Sequence, residues 1–170
     1  VYGQLSTQKL WPGLENVPSI VGFARAVELT HRNFETYVSD MTRLRRKLIK
    51  GILETVEHTL LNGPKGPRRS PDNINLSFLY CEGEALTVEL SLKGVYVSSG
   101  SACTSRVLEP SHVLLAIGRR YEEAHGSILM KVTPFHSDSD IEYVLESIPE
   151  AVARIRSLNP IKPERGREVV

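Results

Sequence analysis

The residues best suited to chemistry lie in one short segment, Val97-Ser98-Ser99-Gly100-Ser101-Ala102-Cys103-Thr104-Ser105. Cys103 is its cysteine, and almost all of its neighbours are small. A cysteine in a loop of small residues can be reached by a substrate and can move, as a nucleophile that accepts a group and passes it on must. A small buried cysteine that packs like alanine is the alternative, because free cysteines are among the most buried residues. The residues alone leave both interpretations open.

Metal binding is another use for residues of these types. Cysteine and histidine ligate zinc and iron-sulfur centres, and the chain offers Cys81, Cys103, His112 and His125. Their spacing matches no compact ligand motif. Cys81 follows an alternating apolar stretch, so we expect it in the core or at a strand edge. The sequence therefore predicts no metal site.

Two amphipathic helices are predicted to precede this segment. The first begins at Pro18, with apolar residues at helical spacing: Ile20, Val21, Ala24 and Val27. The second has its apolar face at Phe34, Tyr37, Val38, Met41, Leu44, Leu48, Ile52 and Val56. Its basic residues fall mostly on the other side and predict a solvated face: Arg43, Arg45, Arg46, Lys47 and Lys50. Three prolines and two glycines between residues 62 and 73 then predict a loop.

The rest of the chain predicts a few strands alternating with helices. Alternation of apolar residues predicts strands at 74–80, 95–97 and 128–132, with residues 98–105 as a loop. Short helices are expected at 82–92 and 112–118. Ser139 and Glu142 predict a capping box that opens the last helix, in which Pro149 favours a kink. Its buried side is expected at Ile141, Val144, Leu145, Ile148, Val152 and Ile155. This order predicts an α+β fold, a few-stranded sheet packed against helices.

Composition narrows the class of protein. The 170 residues suit one domain, and 21 basic against 20 acidic residues give a net charge of +1, which argues against a nucleic-acid or membrane-surface protein. Two cysteines cannot form a disulfide framework and fit a reducing compartment, so we expect a cytoplasmic protein. Residues 1–14 lack the pattern of a signal peptide. A start at Val1 without methionine suggests a processed product or a piece of a longer chain.

The cysteine segment, Ser98–Ser105, and the run Leu108–Leu114 that follows it resemble the active-cysteine loop of the NifS/IscS-type cysteine desulfurases, which have the class V aminotransferase fold. The resemblance continues through Ala124–Ser127, Asn73–Glu84 and Glu15–Gly22. It covers roughly residues 3 to 160, and it matches the C-terminal portion of a family member. The fold it implies is the small C-terminal domain of the aminotransferase fold.

The resemblance implies a pyridoxal-phosphate enzyme that removes sulfur from L-cysteine, leaving alanine and a persulfide on the loop cysteine, for iron-sulfur cluster assembly. Cys103 matches that cysteine. A free thiol has a pKa of about 8.5, so a nearby base or positive charge would help to form the thiolate. His112 and His125 are the candidates nearby in sequence, but the structural interpretation is favoured for each of them. The resemblance also implies a homodimer and an iron-sulfur scaffold or other sulfur acceptor protein as partner.

Three features depart from the family pattern. The lysine that carries the cofactor lies upstream of Val1, so we expect that this chain alone does not hold pyridoxal phosphate. The Gly63–Gly66 run is similar to a glycine-rich stretch near that lysine, but it stands in the wrong place and is treated as chance. Leu14 replaces a threonine that contacts the cofactor phosphate across the dimer. Leu129 replaces an arginine that binds the substrate carboxylate.

Two hypotheses follow. In the first, the chain is the C-terminal part of a cysteine desulfurase whose large pyridoxal-phosphate domain comes from the rest of the chain or from a partner subunit. In the second, it is a non-catalytic module of the same origin that docks iron-sulfur assembly partners. For either, we expect residues 1–30 to lead from the large domain, 31–160 to form the small domain and 161–170 to form a tail.

Overall fold

The first helix forms as predicted, and its apolar residues are exposed. The computed structural model describes residues 14–99 and 110–160. The chain divides into two compact units, Val1–Tyr37 and Val38–Val170. In the first unit, helix α1 (Val17–Arg32) starts after Asn16, whose side chain accepts a hydrogen bond from the Ser19 N–H at 3.2 Å. None of its residues is buried, and its large apolar side chains are exposed: Val17, Ile20, Val21, Phe23, Val27 and Leu29.

The second unit has the α+β architecture expected from the sequence. Helix α2 (Phe34–Thr55) continues into it from the first unit, and a 3-10 turn at Gly66–Arg68 interrupts the loop that follows β1. The remaining elements are, in chain order, β1 (Thr59–Leu61), β2 (Asn73–Phe78), α3 (Gly83–Leu92), β3 (Ser98–Ser99), α4 (His112–Ala116), α5 (Tyr121–His125), β4 (Ser127–Lys131) and α6 (Asp138–Leu158).

The four strands form one antiparallel sheet in the order β1-β2-β4-β3. β2 lies in the middle and pairs with β1 from Phe78 to Leu76 and with β4 from Asn73 to Ser77. β3 lies at one edge and pairs with β4 at two positions, Ser98 opposite Leu129 and Ser99 opposite Ile128. The two edges of the sheet are therefore β1 and β3.

One face of the sheet packs against helices and forms the core. Because side chains alternate between the faces of a strand, every second residue of β2 and β4 points into it. The core is contributed mainly by Ile74, Leu76 and Phe78 of β2, Ile128 and Met130 of β4, Leu44, Leu48 and Ile52 of α2, Leu86 and Leu90 of α3, and Ile141, Ile148 and Val152 of α6. The predicted apolar face of α2 is buried at Leu44, Leu48 and Ile52, but Phe34 at its start is exposed. The predicted buried side of α6 is confirmed.

The strand predictions were wrong in three places. β1 was not predicted, because Thr59–Leu61 is too short to show a period. The second strand is Ser98–Ser99, which the sequence assigned to a loop, and not Val95–Val97. Val95 is buried and Tyr96 is exposed, so the alternation is real, although these residues pair with no strand of the described chain. The first predicted strand ends early, at Phe78, because Tyr80 adopts a positive φ of 64°.

The last helix has its N-cap two residues before the predicted one. Ser137, not Ser139, is the N-cap, and its hydroxyl accepts from the Asp140 N–H at 3.2 Å. The Asp140 carboxylate accepts in return from the Ser137 N–H at 2.7 Å. Ser139 and Glu142 lie inside the helix, and Pro149 lies within its continuous length. The short helix α5 was not predicted.

The basic run of α2 is not wholly solvated. Arg43 and Arg46 are exposed, but Arg45 has only 3% of its surface exposed. Its guanidinium donates to the carbonyl oxygens of Arg69 at 2.9 Å and Ser70 at 2.6 Å. The solvated-face prediction is therefore wrong at this position, since the side chain lies under the loop after β1.

Across residues 14–99 and 110–160, no helix combines the length and the apolar character needed to cross a membrane.

Candidate functional site

The structure describes both flanks of the segment that carries the predicted nucleophile. Cys103 itself lies outside the described residues, as do all of residues 100–109. On one side, Ser99 ends β3 at the edge of the sheet. On the other, Ser111 has 8% of its surface exposed and precedes α4, whose Leu114 is buried. The cysteine segment therefore connects the edge strand β3 to the buried Ser111.

The chain beyond α4 is tied back to the opposite edge of the sheet. Gly118 turns with a φ of 90°, and Arg119 follows it. Arg119 donates from Nε to Asn62 Oδ1 at 2.7 Å and from Nη2 to the Leu61 carbonyl oxygen at 2.8 Å. These bonds hold the chain that follows α4 against β1.

Asn62 connects this contact to the sheet. The side chain has 2% of its surface exposed, and Nδ2 donates to Asn75 Oδ1 at 2.7 Å and to Ser77 Oγ at 2.8 Å. The Asn62 side chain therefore has two neutral hydrogen-bond partners, Asn75 and Ser77, and one charged partner, Arg119. No sequence signal indicated this network, because an asparagine before a glycine is typical of an ordinary turn.

A row of three residues crosses the sheet beside the cysteine segment. Asn75 of β2 lies opposite Leu129 of β4, and Leu129 lies opposite Ser98 of β3. Their neighbours along the strands belong to the core. Because side chains alternate between the two faces of a strand, these three residues lie on the face opposite the core. The half-buried Leu129, at the position where the resemblance implies an arginine, is thus next to the strand that enters the cysteine segment. Leu14, the other departure, is 97% exposed.

Two of the motifs that carry the resemblance contact each other. Phe78 donates from its N–H to the Gly126 carbonyl oxygen at 2.8 Å. A Cβ at Gly126 would clash with the Phe78 carbonyl oxygen, and a Cβ at Gly83 would lie 2.7 Å from the Ser127 carbonyl oxygen. Both glycines are therefore required by close backbone approach. The Ser127 hydroxyl is buried in this contact and has no hydrogen-bond partner among the described residues.

The two candidate histidines occupy the helices that follow the segment. His112 is exposed and is the first residue of α4. His125 is half-buried at the end of α5, with its ring centroid 5.4 Å from that of Tyr121. A role for either beside the Cys103 thiol stays a prediction.

Cys81 lies in the core, as expected. It has 7% of its surface exposed, and its Sγ lies 3.9 Å from the Val152 carbonyl oxygen. Burial raises the pKa of this thiol, so it stays protonated near neutral pH. No group of three histidine, cysteine, aspartate or glutamate residues that could hold a metal ion occurs within residues 14–99 and 110–160.

The described residues do not fit pyridoxal phosphate. Covalent attachment of this cofactor requires a lysine amine. Four described lysines form ion pairs with carboxylates: Lys47, Lys50, Lys93 and Lys131. Lys65 lies in the exposed loop after β1, at the sheet edge opposite β3.

Sequence comparison identifies the family to which the chain is similar. Residues 4–143 match the family model described as aminotransferase class-V. The chain is 41% identical over 149 residues to cysteine desulfurase IscS 1 of Archaeoglobus fulgidus, which covers 88% of this chain and 38% of that protein. It is 40% identical over 167 residues to cysteine desulfurase IscS of Methanosarcina thermophila, covering 98% of this chain and 41% of that protein. The chain thus spans about two fifths of the length of these relatives.

Solved structures agree with this match. A NifS-like protein superposes with a TM-score of 0.70 at 29% identity, over 84% of this chain and 35% of that one. The NifS-like protein from Rickettsia africae superposes with a TM-score of 0.69 at 26% identity, over 83% of this chain and 36% of that one. The fold, the contacting motifs and the sequence match agree, and the chain belongs to the class-V aminotransferase family.

Proposed function

We propose that this chain is the C-terminal part of a cysteine desulfurase and that Cys103 receives the sulfur of L-cysteine. The similarity to curated cysteine desulfurases along most of the chain carries this proposal. In the proposed reaction the C–S bond of L-cysteine breaks and an S–S bond to Cys103 forms. L-Alanine leaves, and the enzyme keeps the sulfur as a persulfide, so the atoms balance without an external oxidant. Family members use pyridoxal phosphate in their complete form, and the rest of a longer protein or a partner subunit would supply it.

The two cysteines of the chain differ in the way the proposal requires. Cys81 is buried, and the raised pKa of its thiol makes it a poor nucleophile. Cys103 belongs to a segment that leaves an edge strand of two residues and returns at the buried Ser111. A carrier of sulfur must meet first its donor and then its acceptor, and a segment connected in this way suits that task.

The substrate carboxylate requires a contact other than residue 129. Leucine offers no hydrogen-bond donor, and Leu129 lies beside β3, where the resemblance implies an arginine. We propose that this chain belongs to a variant group that binds the carboxylate through another residue. A homodimer and an iron-sulfur scaffold or other acceptor protein complete the proposal.

Turnover of the complete protein tests the proposal. L-Alanine and sulfide are measured after addition of L-cysteine and a reductant, with the large domain present. Cys103→Ala is expected to reduce alanine formation at least 100-fold, whereas Cys81→Ala, the matched control, keeps most of the activity because its thiol takes no part.

A different pattern would favour the docking module. If no combination with a large domain releases alanine, and Cys103→Ala leaves the binding of assembly partners unchanged, the chain is not part of a desulfurase. Equal activity of the two cysteine variants would also contradict the role of Cys103.

A further inference from the structure

The β1 edge of the sheet carries a cavity of about 500 Å³ that the desulfurase proposal does not use. Helix α2 forms one wall, and the end of β1 with the loop 62–69 forms the other. Three side chains give it an apolar floor: Ile49, Leu53 and Leu61. Its size falls within the range of small-molecule sites, about 300–1,000 Å³.

The cavity is strongly basic. Five cationic side chains line it, namely Arg45, Arg46, Lys50, Lys65 and Arg69, against a single acid, Glu54. Lys50 lies 3.8 Å from that acid. Five positive charges and one negative charge leave an excess of four. Within residues 14–99 and 110–160, no carboxylate lies within ion-pair distance of Arg46 or Lys65, both of which are exposed at the rim.

Two of these cations are buried behind the rim. Arg45 and Arg69 have 3% and 7% of their surface exposed. Arg45 donates to backbone carbonyl oxygens, and Arg69 donates from Nε to the Pro64 carbonyl oxygen at 2.8 Å and from Nη1 to Asn73 Oδ1 at 2.9 Å. All of these acceptors are neutral.

The buried charge therefore lacks a described carboxylate partner. Burial lowers the pKa of both guanidiniums, and repulsion by a neighbouring arginine adds to this effect, from Arg46 on Arg45 and from Arg45 on Arg69. An arginine nevertheless keeps its charge in proteins. The acid that acts on Arg45 is Asp72, which is itself paired with Lys131 at 2.6 Å. Buried charges are costly without a counter-charge, so this wall of the cavity favours an anion.

We propose that the cavity binds an amphipathic carboxylate, with its apolar body on Ile49, Leu53 and Leu61 and its carboxylate at the rim between Arg46 and Lys65. The planar guanidinium matches the two oxygens of a carboxylate, which is why arginine recognises this group so often. A ligand with an apolar body alone would leave the excess positive charge without a counter-charge. A bare anion would leave the apolar floor in contact with water.

Titration of the ¹⁵N-labelled 170-residue chain with sodium octanoate tests the site. The backbone amide signals of Ile49, Leu53, Leu61 and Gly66 are expected to shift and saturate. 1-Octanol has the same apolar body without the charge, and it is expected to bind at least tenfold more weakly. Inorganic phosphate, a charge without the apolar body, is expected to bind more weakly as well.

Surface variants separate this site from other apolar surfaces. The double variant Arg46→Gln/Lys65→Gln removes two exposed rim charges and is expected to weaken octanoate binding about tenfold. Arg43→Gln on the same helix is the matched control, because Arg43 pairs with Asp138 outside the cavity. It is expected to leave the affinity unchanged.

Three results would overturn the proposal. They are equal binding of octanol and octanoate, equal affinity in the rim variant, and signal shifts that concentrate on the exposed apolar residues of α1 instead of the cavity. None of them bears on alanine formation by Cys103, so the two proposals can fail separately.

Discussion

The two edges of the sheet are built in opposite ways. At the β1 edge, buried polar side chains bind the following loop: Arg45 and Arg69 donate to its carbonyl oxygens, and Asn62 donates to β2. At the β3 edge, a strand of two residues pairs with β4 and leads directly into the segment of Cys103. The described part of the fold thus concentrates its buried hydrogen bonds at the edge away from the proposed nucleophile.

This difference separates stability from sulfur transfer. Changes at the β1 edge should mainly alter the free energy of unfolding, whereas changes at Cys103 should mainly alter chemistry. Arg119, which lies after α4 and thus downstream of the cysteine segment, binds at the β1 edge.

The largest effect on stability is expected from Arg45→Ala. It leaves the carbonyl oxygens of Arg69 and Ser70 without their buried donor, and such losses cost about 3 kcal/mol together. Urea unfolding measures the change. Arg43→Ala is the control, since its ion pair with Asp138 is exposed to solvent and contributes little. Equal losses of stability in the two variants would contradict the claim that the buried Arg45 stabilises the fold more than the exposed Arg43.

A smaller loss, about 2 kcal/mol, is expected from Gly126→Ala. The new methyl group would clash with the Phe78 carbonyl oxygen, so β2 and the turn before β4 must move apart. Gly22→Ala in α1 is the matched control, because no atom lies within 4 Å of its added Cβ. Thermal unfolding of both variants gives the comparison, and a neutral Gly126→Ala would show that the two motifs do not require this approach.

The hydrogen bond between Asn62 and Arg119 is expected to contribute about 1 kcal/mol to the free energy of unfolding. A double-mutant cycle of Asn62→Ala and Arg119→Ala measures it, because the two side chains are joined by a hydrogen bond of 2.7 Å. Additive effects of the two substitutions would mean that this hydrogen bond does not couple the chain after α4 to β1.

The smallest effect concerns pH. Burial alone would raise the pKa of Asp72, but hydrogen bonds from Lys131 and Ser70 bring it below its ordinary 3.8. The folded state therefore gains stability above that value and loses it as the pH falls through the folded pKa. Asp72→Asn is expected to be less stable near neutral pH and to lose less stability below about pH 4. Unfolding curves across this range check it, and parallel losses in both proteins would contradict it.

The elements with strong periods were predictable from the sequence. α2 and α6 carry long apolar repeats, and β2 alternates clearly, so the existence of all three elements was confirmed. Their predicted faces are buried as well, except at Phe34 at the start of α2. Thr59–Leu61 and Tyr121–His125 are too short to show any period. Val95–Val97 alternates because it fills the core, which periodicity alone cannot distinguish from pairing in a sheet.

The polar residues were harder to predict. Arg45 and Arg46 are neighbours on one helix, yet one is buried and the other exposed, because a loop distant in the chain covers Arg45. Asn62 and Arg119 lie 57 positions apart and meet only in the folded chain. The burial of Cys81, in contrast, followed from its place after an apolar strand.

Detection of the sulfur itself tests the central claim most directly. The complete protein is incubated with L-cysteine, alkylated and digested, and the two cysteine peptides are analysed by mass spectrometry. One additional sulfur atom is expected on the peptide of Cys103 and none on that of Cys81. Sulfur on Cys81, or on neither peptide while alanine is formed, would contradict the role proposed for Cys103.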